Sequence, residues 1–132
     1  MLRATVEGAT FALKFGIDEL AALGLRAEEI VLTGGGARSR VWRAIVADAC
    51  NLPVTVLEQQ EGAAFGAALQ ALWALEREKN AARSIEDITA EHLSRDRAAC
   101  TMPDAARAAV YAHRYSAYQR ALRQVSPLFG AV

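Results

Sequence analysis

The sequence predicts an α/β fold with parallel strands, in the order helix, strand, helix, strand, helix, helix. Three observations carry that reading. Apolar residues recur at helical spacing over 4–23, 39–51, 62–75 and 101–126. Two short apolar runs, 30–33 and 54–57, each precede a helical stretch directly, as βα units on a parallel sheet do. The length, 132 residues, and the makeup, 53% hydrophobic and 23% charged, are those of one globular domain around one core.

In Ala4 to Leu23, Val6, Leu13, Ile17 and Leu20 fall on one helical face, with Phe11 and Phe15 on its flank. Gly24 supplies a left-handed stop. Gly16, inside the stretch, costs about 1 kcal/mol relative to Ala and weakens the case for an unbroken helix. Ile30 to Thr33 is rich in β-branched residues and runs into Gly34, Gly35 and Gly36, so it reads as a strand feeding a turn. From Ser39, a fitting N-cap, Trp42, Ile45, Val46, Ala49 and Cys50 keep one face, and Asn51 suits a left-handed cap. Pro53 can open a strand, and the apolar Val54 to Leu57 suits one covered on both faces.

Gly62 to Leu75 returns to helical spacing, with Phe65, Leu69, Leu72 and Trp73 on one stripe and Gly62 and Gly66 on a smooth patch. Glu61 to Ala68 is read either as a small-residue stripe for close packing or as a helix start near a ligand. Lys79 to Cys100 is polar and broken. Ser84 with Asp87 forms a capping box for a short helix there, and the rest reads as connection. Thr101 with Asp104 forms a second box opening a last helix over about 102–126, with Tyr111, Tyr115, Tyr118, Leu122 and Val125 on one face. Two strands cannot shield both faces and both edges of a sheet, so the chain is expected to belong to a larger sheet or to self-associate through an open strand edge.

Fifteen basic and fifteen acidic side chains give zero formal charge, which leaves no electrostatic footprint for a nucleic acid or an anionic membrane. No run of about 18 apolar residues is present, and the opening residues lack the pattern of a secretory signal. Cys50 and Cys100 lack partners at ligand spacing and read as reduced thiols of a cytoplasmic protein. His92 and His113 likewise have no ligand-spaced partner, so no metal site is expected. Trp42, Trp73 and the tyrosines are expected in the core.

The glycines carry the chemistry. Each loses more conformational freedom on folding than any other residue, so a run of three needs a positive φ or a close backbone approach. A strand, a glycine turn and a helix N-terminus together present N–H groups suited to a phosphate or its adjoining sugar, and Arg38 and Arg40 add positive charge. A tight turn with a glycine cap is the plainer reading. GGGARS also nearly fits the dinucleotide fingerprint, with Glu58 placed 24 residues after Gly34 for a ribose, but Ser39 replaces the third glycine and a helix precedes the supposed first strand.

LTGGGARS followed by VWRAIVADAC, then NLPVTVLEQQEGAAFGAALQALWA, resembles the C-terminal region of carbohydrate kinases of the FGGY family, most of all its xylulokinases. RATVEGATFALKFGIDEL is similar to the helix before that family's glycine turn, and YAHRYSAYQRALRQV to its closing helix. The resemblance implies part of an actin-like, ribonuclease-H-like ATPase domain. It implies ATP with Mg²⁺ as cofactor, with Gly34, Gly35, Gly36 and Ala37 under the adenosine and α-phosphate, Ser39 closing the turn and Arg40 near the adenine. It further implies that the phosphate loop, the sugar-binding residues, the catalytic Asp and most of the Mg²⁺ site lie N-terminal to the matched region. Asp48 and Glu58 do not match the catalytic position. The expectation is therefore the C-terminal segment of an ATP-dependent kinase of a ketopentose such as xylulose, inactive alone, binding ATP weakly or not at all and meeting the sugar mainly through a preceding region. A noncatalytic nucleotide- or partner-binding module is the alternative.

Overall fold

A computed structural model of the protein describes residues 1–58, 62–79 and 83–130. Helix α1 (Leu2–Ala22) leads to strand β1 (Ile30–Leu32), a 3₁₀ turn (Gly35–Arg38) and helix α2 (Arg40–Cys50). Strand β2 (Val54–Leu57) is followed by helices α3 (Gly62–Glu78) and α4 (Ile85–His92), strand β3 (Arg95–Thr101), helix α5 (Ala105–Val125) and a closing 3₁₀ turn, Ser126–Phe129.

The two predicted strands are parallel, with Ile30 opposite Val54 and Leu32 opposite Val56. The sheet order is β1-β2-β3, and β3 joins antiparallel. That third strand is a departure from the expected connection over 79–100. Its sequence, RDRAACT, has no aromatic residue and one β-branched residue, so local propensity is silent and the pairing with β2 makes the strand. Asp96 Oδ1 accepts the N–H groups of Ala98 and Ala99 at 3.0 and 3.1 Å, and the β2–β3 register shifts beside this side-chain turn, between Val54 and Val56. Among the described residues β1 has a strand neighbour on one side alone.

Helix α2 is the centre of the molecule. One face, Ile45 and Ala49, packs with Phe11 of α1 and Tyr111 and Tyr115 of α5. Val46 and Ala47 pack onto Val54 of β2, with Ile30, Leu32, Trp42 and Cys50 around them. Its ends follow the sequence: Ser39 Oγ accepts the Trp42 N–H, and Asn51 closes the helix with φ 53° and ψ 42°. Phe11 lies 5.6 Å from the ring centres of both Tyr115 and Tyr118, which joins α1 to α5 through aromatic contacts.

Three details correct the sequence reading. Helix α1 runs unbroken through Gly16 but buries Glu7, Thr10 and Phe11, while Leu13 and Leu20 of the expected face are each 50% exposed. The burial of a glutamate explains the displaced stripe: Glu7 accepts from Arg3 and Arg114 and from the Tyr111 hydroxyl, so a carboxylate holds a core position. Helix α5 begins at Ala105, with Asp104 rather than Thr101 as its N-cap; Asp104 accepts the Arg107 N–H at 2.9 Å and Thr101 belongs to β3. Trp73 is half-buried under Arg77 rather than in the core. The box at Ser84 and Asp87 forms as expected, and Gly24 has φ 91°.

Candidate functional site

The chain leaves β1 at Thr33 and turns sharply at Gly34, whose φ of 75° and ψ of −166° suit glycine alone. The Ala37 N–H then donates to the Gly34 carbonyl and the Ser39 N–H to the Gly36 carbonyl, both at 3.1 Å, closing the 3₁₀ turn onto α2. The first N–H groups of such a turn have no partner within it.

The three glycines are there for three different reasons. Gly34 answers to backbone geometry. A Cβ on Gly36 would overlap the six-membered ring of Trp42, which lies against it; Trp42 Nε1 in turn donates to Thr10 Oγ1 at 3.2 Å, deep under α1. Gly35 has neither cause: its φ lies outside the left-handed range and a Cβ there would meet nothing within 4 Å. The requirement for glycine at 35 is not set inside the fold.

Behind the turn lies Arg43, 9% exposed, whose Nη1 donates to the Ala37 carbonyl at 2.5 Å. Ala37 itself is buried, with its N–H on the Gly34 carbonyl and its carbonyl on Arg43. Arg38, Arg40 and Arg43 line one wall of a groove of about 740 Å³, with Glu58 and Asp96 on the wall made by β2 and β3. Of the expected site residues Gly34, Gly35, Gly36, Ala37, Ser39 and Arg40, which follow one another through the turn into α2, Ala37 and Arg40 line this groove. Thr10, Trp42 and Arg43, which support the turn, are not apparent from the glycine motif. An arginine set among the apolar Val41, Trp42, Ala44 and Ile45 is the signal that marks the last.

The other candidates separate from this turn. Asp48 is 2% exposed and accepts the Asp104 N–H at 2.8 Å and Arg107 Nε at 2.6 Å, so it ties α2 to α5. Burial pushes the Cys50 thiol up to about 11, which keeps it protonated, and Cys100 is exposed. His113 is exposed and His92 half-buried. Among the described residues no three His, Cys, Asp or Glu side chains gather into a metal site, and no helix is long and apolar enough to cross a membrane. Gly62 starts α3 close to Thr33, where a Cβ would sit 3.2 Å from the threonine, so the small residue there serves packing. Glu61 lies outside the described residues.

The strand, glycine turn and helix sit in an α/β layer whose likeness to solved sugar kinases gives it the fold of the C-terminal part of an actin-like, ribonuclease-H-like domain. The chain belongs to the FGGY family of carbohydrate kinases, whose C-terminal domain model matches residues 1–75. It is 35% identical to xylulose kinase of Haemophilus influenzae over 98% of its own length and 24% of that protein's. It is also 35% identical to erythritol kinase of Brucella abortus, again over 98% of this chain and 24% of that protein. Among solved structures it superposes on xylulose kinase from Rhodospirillum rubrum with a TM-score of 0.76 at 27% identity, over 98% of this chain and 25% of the other. It superposes on ligand-bound xylulose kinase from Lactobacillus acidophilus with a TM-score of 0.78 at 21% identity, over 94% and 24%, a likeness of fold. The chain spans about a quarter of the length of the curated relatives it matches. The dinucleotide reading gives way to this family, and β2 has antiparallel β3 where a third parallel strand would stand.

Proposed function

We propose that this chain is the nucleotide-side segment of an ATP-dependent sugar kinase and that Gly34, Gly35, Gly36, Ala37, Ser39 and Arg40 take the adenosine and α-phosphate of ATP. The observation that carries the proposal is Gly35. Its neighbours are glycine for internal reasons, and of the three it alone leaves main chain bare with no internal cause, as close approach of a ligand requires. The first amides of the turn, which have no partner within it, the N-terminus of α2 behind them and the Arg40 side chain suit an anionic nucleotide with a flat base.

ATP with Mg²⁺ supplies the phosphoryl group, and transfer needs acids for the metal and a base or orienting carboxylate for the sugar hydroxyl. The described acids do not assemble such a set, and Asp48 is engaged by α5. The metal, the sugar and the catalytic carboxylate are therefore assigned to the region that the longer relatives have before this segment, in the cytoplasmic setting of a soluble kinase. A ketopentose such as xylulose is the proposed acceptor. Equal identity to a xylulose kinase and an erythritol kinase fits an acceptor choice made outside this segment.

The test is an amide-shift titration of the chain with ADP. The turn amides from Gly34 to Arg40 are expected to move, at millimolar ADP because part of the pocket is elsewhere. Gly35→Ala is expected to weaken binding at least about tenfold, the loss that a misplaced phosphate contact brings, and Arg40→Ala to weaken it less. Shifts confined to other surfaces, or unchanged affinity in Gly35→Ala, would falsify the assignment.

A further inference from the structure

Arg43 is a buried cation with almost nothing to answer it. At 9% exposure, it donates Nη1 to one neutral carbonyl, that of Ala37, and its Nε is buried without a hydrogen-bond partner. Among the described residues no carboxylate comes within ion-pair distance of it. Glu58 and Asp96 line the same groove without pairing with it. A permanently charged guanidinium largely removed from water is costly unless a negative group compensates it. The carbonyl it holds belongs to the turn, two residues after Gly35.

We propose that Arg43 is the positioning residue of the glycine turn and the source of its preference for a phosphate-bearing nucleoside over the bare nucleoside. It fastens Ala37 from behind, and it keeps beneath the turn a positive charge that the phosphate of the ligand offsets. The proposal rests on the nucleotide reading of the same turn. Screening by solvent is weak at such a site, so the charge acts on the phosphate and leaves an uncharged nucleoside unaffected.

The experiment compares ADP with adenosine on the full chain, by calorimetric or amide-shift titration. Arg43→Met is expected to lower ADP affinity about tenfold, as one charge at an effective dielectric of about 20 would, and adenosine affinity less than about twofold. Arg43→Lys keeps the charge and a donor, and is expected to hold the ratio of the two affinities within about threefold of the unaltered chain. Equal losses for both ligands, or unchanged ADP affinity in Arg43→Met, overturn the proposal, since a merely structural arginine would not discriminate between them. Should the Met variant fail to melt cooperatively, Arg43→Gln, neutral but polar, carries the same expectation. A turn that stays silent to ADP in the unaltered chain overturns both readings. An unchanged ratio in the neutral variants, with ADP still on the turn, overturns this one alone.

Discussion

Helix α2 buries two opposite charges five residues apart, and the molecule treats them differently. Asp48, near the C-terminal end, is satisfied on both oxygens by α5, through the Asp104 N–H and Arg107 Nε. Arg43, near the N-terminal end, has a single carbonyl and a buried Nε left unpartnered. One end of the helix is closed by the fold and the other is left incomplete where the glycine turn meets the surface. A buried polar group left without a partner calls for an explanation, and at Arg43 the ligand proposed for the adjoining glycine turn supplies one.

The largest effect tests the closed end. Asp48→Ala strands the part-buried Asp104 N–H and releases Arg107, and is expected to cost about 2–3 kcal/mol in urea unfolding. Arg43→Met is expected to cost about 1 kcal/mol or less, because removing an unpaired buried charge offsets the lost bond to Ala37. The reverse order of the two costs would break the contrast.

Next comes Gly36→Ala, whose added methyl runs into the Trp42 ring. Overpacking of this kind costs about 1–3 kcal/mol. In a Trp42→Leu background the same substitution is expected to cost less than half as much, a coupling that a double-mutant cycle reads directly. Equal costs in both backgrounds would show that Gly36 is needed for some other reason.

This contact also shows where the sequence stops being informative. Strands β1 and β2, the cap residues Ser39 and Asn51 and the glycine turn were legible because each is a local pattern: β-branched runs, an N-cap oxygen, a left-handed asparagine. The pairing of Gly36 with Trp42, and of Trp42 with Thr10 across 32 positions, is set by how α1 lies on α2, and no local spacing encodes it. Strand β3 escaped for the same reason, since its three charged and four small residues become a strand through β2. The α1 stripe misled because hydrophobicity alone places Leu13 and Leu20 inward, whereas three donors draw Glu7 in.

Glu7 gives a smaller, pH-dependent effect on the closed side, smaller because Arg3 and Arg114 are 72% and 51% exposed and solvent screens them. The Arg3 hydrogen bond, with help from Tyr111 and Arg114, holds its carboxyl below the ordinary value of 4.5, against the opposing effect of burial. A depressed folded-state value means a contribution fully present above the ordinary range and lost as pH falls through the lower folded value. Between about pH 6 and pH 3 the unaltered chain is expected to lose stability more steeply than Glu7→Gln, read from urea midpoints. Parallel slopes would detach the α1–α5 clasp from this carboxylate.

The open strand edge adds an association test. With β1 paired on one side and Val31 38% exposed, the isolated chain is expected to self-associate by sedimentation, and Val31→Lys to shift it toward monomer. An unaltered chain that sediments as monomer across micromolar concentrations would place the edge under some other cover.

The smallest stability effect sharpens the contrast most. Gly35→Ala is expected to leave stability unchanged or raise it by up to about 1 kcal/mol, since a methyl there meets nothing and the unfolded chain loses freedom. Its two neighbours behave oppositely: Gly34→Ala is strained at φ 75°, and Gly36→Ala meets Trp42. A glycine that the fold does not need, flanked by two that it does, fits the proposed approach of a ligand from outside. Thermal melts of the three alanine variants decide the point. If Gly35→Ala destabilises as much as its neighbours, the turn is an internal structural device throughout, and its claim on a nucleotide loses the observation that distinguishes it.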